Sequence, residues 1–536
     1  MGELPPIERR TLGHAYDRAV ASGADRVAHV AEGREWTFGQ SRDRALAISA
    51  GLAGLGVGRQ QPAALLLDNS IDYAHAWTGI GLGAQVEVPI NTAYKGSFLS
   101  HILNDSGSTV IVIEDHYVDA LAKVAVDLQT LRSVVVRGDV RAADGLRSAY
   151  RVVELDEIAA AEPREVAPAR ADEHLGYLYT SGTTGPSKGV LTSQAHAYTY
   201  ASREDIGGLG REDTVLVQLP MFHLAGQWYG CYQALIHEAK AVIEPAFWAS
   251  GFWDTVREHD VTYTILLGAM AEILQQQRPK PDDADNPLRT VPMAPLASDV
   301  RAFCERFGVQ ANAVYGMTEI GAVLMGGYQT LKPGEAGQPR SNVTLRIVDA
   351  DGAEVPAGQV SELWVKPKEP LTVFSGYHNL PEKTAETIVD GWVHTGDAFW
   401  RDEDGHYYFA DRIKDALRRR GENVSSFEVE KVINSHPKVL ESAVVAVPSE
   451  LSEDEIKAVV VPREGEELDP VELTEFLIDR MPYFMVPRYL ETVDELPKTP
   501  TQKIQKHELR TRGLSGDVWD REAAGIVLGK HGRRNA

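Results

Sequence analysis

The chain has 536 residues, of which 43% are hydrophobic and 24% are charged, and its formal net charge is −23. This length exceeds that of one compact core, so we expect two or more domains. The acidic balance argues against general binding to nucleic acid or to anionic membranes. The cysteines, Cys231 and Cys304, are too few for a disulfide framework or a thiolate metal site, so a cytoplasmic location is the simplest expectation. We see no signal-peptide pattern and no apolar run of membrane-spanning length.

Strand-like and helical patterns alternate through about the first 400 residues. Residues 62–67 and 109–113 are apolar runs typical of buried strands, and residues 42–55 have the period of an amphipathic helix. Strands that alternate with helices indicate βαβ units around parallel sheets. The sequence therefore predicts an α/β fold.

Residues 179–190, Tyr-Thr-Ser-Gly-Thr-Thr-Gly-Pro-Ser-Lys-Gly-Val, combine hydroxyls, glycines and one lysine. Glycine lets the backbone approach a ligand closely, and successive backbone N–H groups form an anion-binding nest. The spacing differs from that of the common phosphate loop and from the dinucleotide-binding fingerprint. Because residues 175–179 are typical of a buried strand that leads into the segment, we expect a phosphate-binding loop rather than a flexible surface loop.

Residues 315–319, Tyr-Gly-Met-Thr-Glu, bring three chemical functions together. Tyr315 offers a flat face to a ligand ring, Thr318 offers a hydroxyl to a phosphate, and Glu319 offers the hard oxygen ligand that Mg²⁺ prefers. A Thr-Glu pair is also common at helix caps, so the motif alone leaves both interpretations open.

Shorter strands separated by turn residues begin after about residue 334. They predict a small β-barrel subdomain at residues 334–410. A basic loop and a compact α+β segment follow, with a helix at 426–435, strands at 442–447 and 458–461, and a helix at 470–480. We place the N-terminal domain at 1–413 and the C-terminal domain at 414–536, and we expect the polar residues after about 513 to fray.

Residues 179–190 resemble the signature loop of the acyl-adenylate-forming enzymes, which include acyl-CoA synthetases, peptide-synthetase adenylation domains and beetle luciferases. Further segments match the family in its order, at residues 220–226, 315–319, 394–397, 411–415 and 497–506. Residues 418–430 and 481–488 look most like the carnitine/crotonobetaine-CoA ligase-like branch. The resemblance implies a large N-terminal domain of parallel αβ sheets with a β-barrel subdomain, and a small mobile α+β C-terminal domain.

The resemblance implies an enzyme that uses ATP, Mg²⁺ and CoA. A carboxylic acid attacks the α-phosphorus of ATP, which gives an acyl-adenylate and pyrophosphate, and the acyl group then passes to CoA. A carrier-protein phosphopantetheine as acceptor, an adenylation-only enzyme that serves a partner enzyme, and a non-catalytic nucleotide-binding protein stay open as alternatives. Monomer and homodimer also stay open.

The resemblance also implies roles for individual residues. Lys503, Thr318, Glu319 and His223 would be catalytic, and Glu319 with Thr184 would hold the metal. The nucleotide would be bound by Thr180, Ser181, Gly182, Thr183, Thr184, Lys188, Ala294, Pro295, Tyr315, Gly316, Asp397 and Arg412. Lys414 would be the hinge, Arg420, Gly421 and Glu422 would border the CoA channel, and Gln227, Trp228 and Gly316 would line the acyl pocket. The chain departs from the family at Met293, Asp411 and Gln502, where many relatives have a small residue or glycine.

An apolar pocket wall is expected from the large hydrophobic residues near these motifs. They are Trp228, Tyr229, Leu266, Leu267, Met270 and Met325. Such a wall favours a medium-chain, aromatic or polycyclic carboxylate over acetate, although each residue is also typical of an ordinary core.

Overall fold

The computed structural model describes most of the chain. The described residues are 4–182, 185–204, 207–297, 299–327, 332, 334–349, 351–412, 416–419, 422–449, 454–497, 504, 506–529 and 532–534.

Several helices, such as those that follow Thr11, Ser70 and Asp299, begin where a capping side chain accepts a hydrogen bond from a backbone N–H of the first turn. The helices are α1 Leu12–Gly23, α2 Phe38–Gly54, α3 Ile71–Leu82, α4 Gly96–Ser106, α5 Val118–Val124, α6 Leu155–Ala159, α7 Gln194–Ala201, α8 Leu224–Gly226, α9 Gln233–Ile236, α10 Phe252–Glu258, α11 Gly268–Gln276, α12 Val300–Phe307, α13 Pro381–Thr387, α14 Ser426–Asn434, α15 Pro470–Ile478 and α16 Lys506–Arg512. Helix α2 begins before the predicted residue 42, because Thr37 and Gln40 form a reciprocal capping box. A π-helical turn at Gln227–Tyr232 joins α8 to α9.

The strands are numbered in chain order. They are β1 Val27–Ala31, β2 Arg34–Thr37, β3 Pro62–Leu66, β4 Val86–Pro89, β5 Val110–Glu114, β6 Ser133–Arg137, β7 Arg151–Glu154, β8 His174–Gly182, β9 Gly185–Ser193, β10 Thr214–Val217, β11 Lys240–Ile243, β12 Tyr263–Thr264, β13 Thr290–Met293, β14 Gln310–Met317, β15 Gly321–Met325, β16 Glu335–Pro339, β17 Val343–Val348, β18 Ser361–Pro367, β19 Ile388–Val389, β20 Trp392–Arg401, β21 Tyr407–Arg412, β22 Ala416–Arg419, β23 Glu422–Ser425, β24 Val439–Pro448, β25 Asp454–Pro462, β26 Tyr489–Thr492, β27 Val518–Asp520, β28 Val527–Gly529 and β29 Gly532–Arg534.

A seven-stranded sheet of the described residues has the order β7-β6-β5-β3-β4-β8-β9. Its neighbours are parallel except for β8 and β9, which form an antiparallel hairpin at one edge. The strands β3 and β5 are buried along most of their length, as the apolar runs at 62–67 and 109–113 predict. The buried faces of this sheet pack against helices such as α2 and α3.

A second, longer sheet has a parallel half and an antiparallel half. Strands β14-β13-β12-β10-β11-β1 are parallel, and β2 adds an antiparallel edge. On the other side the order continues through β15, β16, β21, β20, β18 and β17, all antiparallel. The predicted α/β class and large N-terminal domain are confirmed. The β-barrel detail is corrected, since within the described residues these strands form an open end with β17 at its edge.

The predicted small C-terminal α+β domain is also confirmed. Strands β24, β25, β26 and β27 form one sheet, and α14 packs on β24. Strands β22 and β23 form a separate hairpin. One apolar cluster contains Leu417 and Val424 of this hairpin together with Leu99 and Ile111 of the N-terminal domain. The C-terminal domain therefore shares a hydrophobic core with the seven-stranded-sheet half of the N-terminal domain.

Of the helices in the described part of the chain, none combines the length and apolar character that a bilayer crossing requires.

The segment after residue 513 is structured in its described part, contrary to the expectation that it frays. Strand β27 pairs with β26. Arg521 has no exposed surface, and its guanidinium donates to the carbonyl oxygens of Pro487 and Ile526. A buried arginine with backbone acceptors ties this segment to the preceding turn, which its polar composition does not reveal.

We expect Arg521→Ala to lower the free energy of unfolding of the C-terminal domain by about 2–3 kcal/mol, because it leaves buried carbonyl oxygens unsatisfied. Arg512→Ala, at an exposed arginine, is the control. Urea unfolding followed by circular dichroism gives both values. Equal stability of the two variants would contradict a structural role for Arg521.

Candidate active site

The signature segment forms the antiparallel hairpin β8–β9. Thr180 lies opposite Lys188, and Gly182 lies opposite Gly185. Ser181 and Gly182 lie at the end of β8, whereas Thr183 and Thr184 lie outside the described residues. The hydroxyl of Tyr179 donates to Asp105 at 2.6 Å, and burial raises the pKa of this tyrosine. The segment expected to hold phosphates therefore begins at the end of a strand that is anchored in the sheet.

Lys188 and Glu319 lie on either side of Tyr377. The Lys188 Nζ is 4.7 Å from the centre of the Tyr377 ring, a cation–π distance. The Tyr377 hydroxyl donates to Glu319 Oε1 at 2.9 Å. Backbone bonds of Gly189 and Leu191 with the segment 375–378 hold this tyrosine beside β9. The structure thus brings together the lysine of one motif and the carboxylate of another.

Glu319 has the chemistry of a magnesium ligand. Its carboxylate is largely buried, and the Tyr377 hydroxyl fixes the direction of one oxygen. Mg²⁺ binds through one or two carboxylates together with substrate phosphates, so Glu319 beside a phosphate loop fits this ion. Thr184, the other predicted ligand, lies outside the described residues.

Tyr315 and Asp397 are joined by a hydrogen bond. The Tyr315 hydroxyl donates to Asp397 Oδ2 at 2.7 Å, and the Tyr315 ring packs edge-on against Phe399 at 4.7 Å between ring centres. In the pairing of β20 with β21, Asp397 lies directly opposite Arg412. The backbone therefore places both predicted ribose-binding residues side by side, next to the predicted adenine-binding ring.

Gly316 allows a close approach of β14 and β15. A Cβ atom at Gly316 would lie 2.4 Å from the carbonyl oxygen of Gly321, closer than any real contact. Thr318 follows in the turn that leads to Glu319. Only glycine at 316 permits this tight pairing, and the pairing in turn directs the remainder of the motif toward β9.

Ala294 and Pro295 lie at the same sheet edge as Tyr315. They follow directly after β13, and Met293 pairs with Ala313 of β14 in a parallel register. Because parallel strands end at the same edge, residues just after Met293 and just after Ala313 meet there. The structure therefore brings the two predicted adenine-contacting segments together.

His223 precedes helix α8 and is exposed. Its Nδ1 accepts a hydrogen bond from the backbone N–H of Ala225 at 3.3 Å, which leaves the proton of the neutral ring on Nε2. A Cβ atom at Gly226 would lie 2.2 Å from the Leu219 carbonyl oxygen, so glycine lets α8 fold back closely on the preceding strand. The donor edge of the neutral His223 ring is thus Nε2–H.

Gln227 and Trp228 begin the π-helical turn and are buried. Trp228 packs edge-on against Tyr200 and His196 of α7, at 5.5 and 5.9 Å between ring centres. Gln227 Nε2 donates to Glu87 Oε1 at 2.7 Å. These two predicted acyl-pocket residues therefore lie in an aromatic layer beside α7. Single π-helical turns of this kind are frequent at functional sites.

The hairpin β22–β23 packs against β8, and α14 packs against β9. At this interface the Ser187 hydroxyl donates to Glu428 Oε1 at 3.3 Å. Burial raises the pKa of Glu428 to about 7. Glu422 begins β23, whereas Lys414, Arg420, Gly421 and Lys503 lie outside the described residues.

Tyr377 and Glu428 were not predicted as contacts of the site. Each acts across a long sequence separation, so no local pattern marks it.

Comparison with known proteins agrees with this geometry. The sequence model of the AMP-binding enzyme matches residues 16–378, and that of the AMP-binding enzyme C-terminal domain matches residues 428–503. The chain belongs to the AMP-binding, acyl-adenylate-forming enzyme family.

Curated members of this family resemble the chain over most of its length. It is 31% identical to the fatty acid–[acyl-carrier-protein] ligase ScoC of Streptomyces coeruleorubidus, across 90% of this chain and 93% of that protein. It is 30% identical to the crotonobetaine/carnitine–CoA ligase of Salmonella typhi, across 85% and 89%. The solved amide bond synthetase McbA of Marinactinospora thermotolerans is 26% identical, with a TM-score of 0.79 across 92% and 99%. The AMP-binding enzyme family thus includes relatives whose names give different acyl acceptors.

Glu428 makes stability depend on pH at this interface. Burial raises the pKa of Glu428 from 4.5 to about 7, so the folded state favours the protonated side chain. This contribution to the free energy of unfolding is complete below pH 4.5 and is lost as the pH rises through about 7. We expect the stability advantage of Glu428→Gln over the wild type to grow by up to about 3 kcal/mol between pH 5 and pH 8.

Thermal unfolding at several pH values measures this difference. Glu382→Gln, at an exposed glutamate, is the control and should follow the wild type. A constant gap between wild type and Glu428→Gln across the range would contradict burial of an ionisable carboxyl at this contact.

Proposed function

We propose that this protein is an AMP-forming acyl-CoA ligase. It activates a carboxylic acid as an acyl-adenylate with release of pyrophosphate and then transfers the acyl group to CoA. The observation that carries the proposal is the convergence of Lys188, Tyr377 and Glu319 beside the signature hairpin, with Tyr315 and Asp397 at the neighbouring sheet edge. The domains of the proposed enzyme are residues 1–413 and 414–536.

Binding and alignment of the reactants supply most of the catalysis in this proposal. Adenine is held by Tyr315, Ala294 and Pro295 in this proposal. The ribose is held by Asp397 and Arg412, and the phosphates are held by residues 180–184 and by Lys188. Alignment of two bound reactants lowers a barrier by roughly 7–11 kcal/mol. Mg²⁺ on Glu319 would neutralise phosphate charge when it is bound.

The acid is placed beside His223 in this proposal. Its Nε2–H is a donor that suits a carboxylate, and Lys503 bridges that carboxylate and the α-phosphate. The aromatic layer of Tyr200, Trp228 and Tyr229 gives the acyl group an apolar wall, which favours aromatic or medium-chain acids over acetate.

The second step requires the C-terminal domain to present its hairpin. Strand β23 lies against β8, so the hairpin β22–β23 borders the signature strand. We propose that Lys414 is the hinge and that Arg420, Gly421 and Glu422 border the pantetheine channel. A thiol then attacks the acyl carbon of the adenylate, and AMP leaves with the electron pair of the broken anhydride bond.

A carrier-protein phosphopantetheine is the second candidate acceptor, because ScoC, 31% identical, is named as an acyl-carrier-protein ligase. An adenylation-only enzyme that serves a partner, and a non-catalytic nucleotide-binding protein, are the remaining alternatives.

Carboxylate-dependent exchange of labelled pyrophosphate into ATP, across a panel of acids, tests the first step. Product analysis with CoA, with a phosphopantetheinylated carrier protein and with an amine then tests the acceptor. A CoA thioester supports the proposal. If exchange occurs but the only product is carrier-bound or an amide, the acceptor is the carrier protein or the amine instead of CoA. ATP binding without exchange for any acid would support the non-catalytic alternative.

We expect Lys503→Ala to reduce pyrophosphate exchange at least about a hundredfold while ATP still binds, because the bridging charge is removed. Thioester formation from supplied acyl-adenylate should persist. Lys123→Ala, at an exposed lysine, is the control. Unchanged exchange in Lys503→Ala would contradict the assigned role.

We expect Tyr377→Phe to raise the Mg²⁺ concentration that half-saturates exchange by several-fold, because the hydroxyl that directs Glu319 is lost. The ring beside Lys188 is kept. Tyr150→Phe, which removes a single distant hydrogen bond to the Ala125 carbonyl, is the matched control. An unchanged Mg²⁺ concentration at half-saturation would contradict a role for the Tyr377 hydroxyl in directing Glu319 toward the metal.

A further inference from the structure

Glu87 lies where the two large sheets of the N-terminal domain meet. It belongs to β4 of the seven-stranded sheet and is 1% exposed. Gln227, on the π-helical turn beyond β10 of the longer sheet, donates to Glu87 Oε1 at 2.7 Å, and the Tyr73 hydroxyl donates to the same oxygen at 3.2 Å. This carboxyl therefore joins a strand of one sheet to the predicted acyl-pocket turn of the other.

Both donors to this oxygen are neutral groups. Burial raises the pKa of Glu87 to about 8, so the side chain is mainly a neutral carboxylic acid at pH 7. A buried acid without a counter-charge contributes little to stability, since an apolar side chain of the same size avoids its desolvation cost. Its clear structural effect is to fix the carboxamide of Gln227.

The segment from 219 to 227 carries His223, and its N-terminal end is also held by a residue that follows a strand of the seven-stranded sheet. Asn69, just after β3, donates to the Leu219 carbonyl oxygen at 2.8 Å and accepts from the Met221 N–H at 2.7 Å. The loop and turn from 219 to 227 are thus clamped at both ends by side chains of the seven-stranded sheet. His223 lies between the two clamps.

We propose that Glu87 is a positioning residue for the acid substrate, which fixes the Gln227 carboxamide and the turn behind His223 in the geometry that binds the acid. This inference rests on the proposed function. Glu87 acts through Gln227, so its loss should weaken acid binding while the nucleotide contacts at Tyr315, Asp397 and Lys188 stay intact. A fixed polar group also makes the pocket discriminate among acids of similar size.

The test compares KM for the acid with KM for ATP, in acid-dependent pyrophosphate exchange by the full-length protein. Glu87→Met replaces the acceptor with an unbranched apolar side chain, and we expect it to raise KM for the acid about tenfold with less than a twofold change for ATP. Glu87→Gln keeps a neutral acceptor of the same shape and should restore most acid affinity.

A matched control comes from Gln85, a buried glutamine just before the same strand. Its amide donates to the Val57 carbonyl oxygen at 2.8 Å, so it has no role at the π-helical turn. Gln85→Met should lower the melting temperature and leave KM for the acid unchanged. If Glu87 had only a structural role, Glu87→Met would likewise lower the melting temperature and leave KM for the acid unchanged.

Gln227→Met gives a second measurement that also serves if Glu87→Met does not fold, and the double variant completes a double-mutant cycle. Gln227→Met should raise KM for the acid as Glu87→Met does, and the double variant should be no worse than Gln227→Met alone. Additive effects, or a KM for the acid within twofold of wild type in Gln227→Met, would overturn the inference. Absence of exchange with every acid in the wild type would overturn the proposed function and this inference together.

Discussion

Strand β9 is the element on which the whole site depends. Its backbone bonds to the segment 375–378, its Lys188 lies against Tyr377, and its Ser187 bonds to Glu428 of the C-terminal domain. One strand therefore connects the seven-stranded sheet, the Glu319 motif and the second domain. These contacts fix the described part of the hairpin before any ligand binds, and ordering it later would cost conformational entropy.

The part of the site proposed to bind the carboxylic acid depends on a different contact, the junction between the two sheets of the N-terminal domain. Polar side chains cross this junction at Asn69 and Glu87, and both end on the segment from 219 to 227. A buried polar group without a hydrogen-bond partner raises the free energy of the folded state. The junction is therefore stable only when the two sheets are positioned so that Asn69 and Glu87 keep their hydrogen bonds. The same constraint that fixes the sheets therefore fixes the wall of the proposed acyl pocket.

Local patterns in the sequence predict the elements well and the contacts between them poorly. The apolar run at residues 62–67 forms β3 as predicted, because such a run is a local property of the sequence. The start of α2 was missed because the helix begins at the Thr37 cap, upstream of the apolar pattern. The order after residue 513 was missed because Arg521 donates to the carbonyl oxygen of Pro487, which is far away in the sequence. Tyr377 and Glu87 were missed for the same reason, since their partners are far away in sequence. The motifs themselves were found because nucleotide chemistry demands particular residues at short spacing.

The contacts between the two domains bear on both steps of the proposed reaction. The groups proposed to surround the nucleotide lie in strands β8, β9, β14 and β20 of the N-terminal domain, whereas the hairpin β22–β23 that reaches β8 belongs to the C-terminal domain. Lys503, the proposed bridging residue of adenylation, belongs to the C-terminal domain as well, so the proposed enzyme uses that domain in both steps. Where α14 meets β9, Glu428 is buried beside Ser187, and burial raises its pKa to about 7. Because β9 also carries Lys188, a substitution at this contact is expected to alter adenylation as well as acyl transfer in the proposed enzyme.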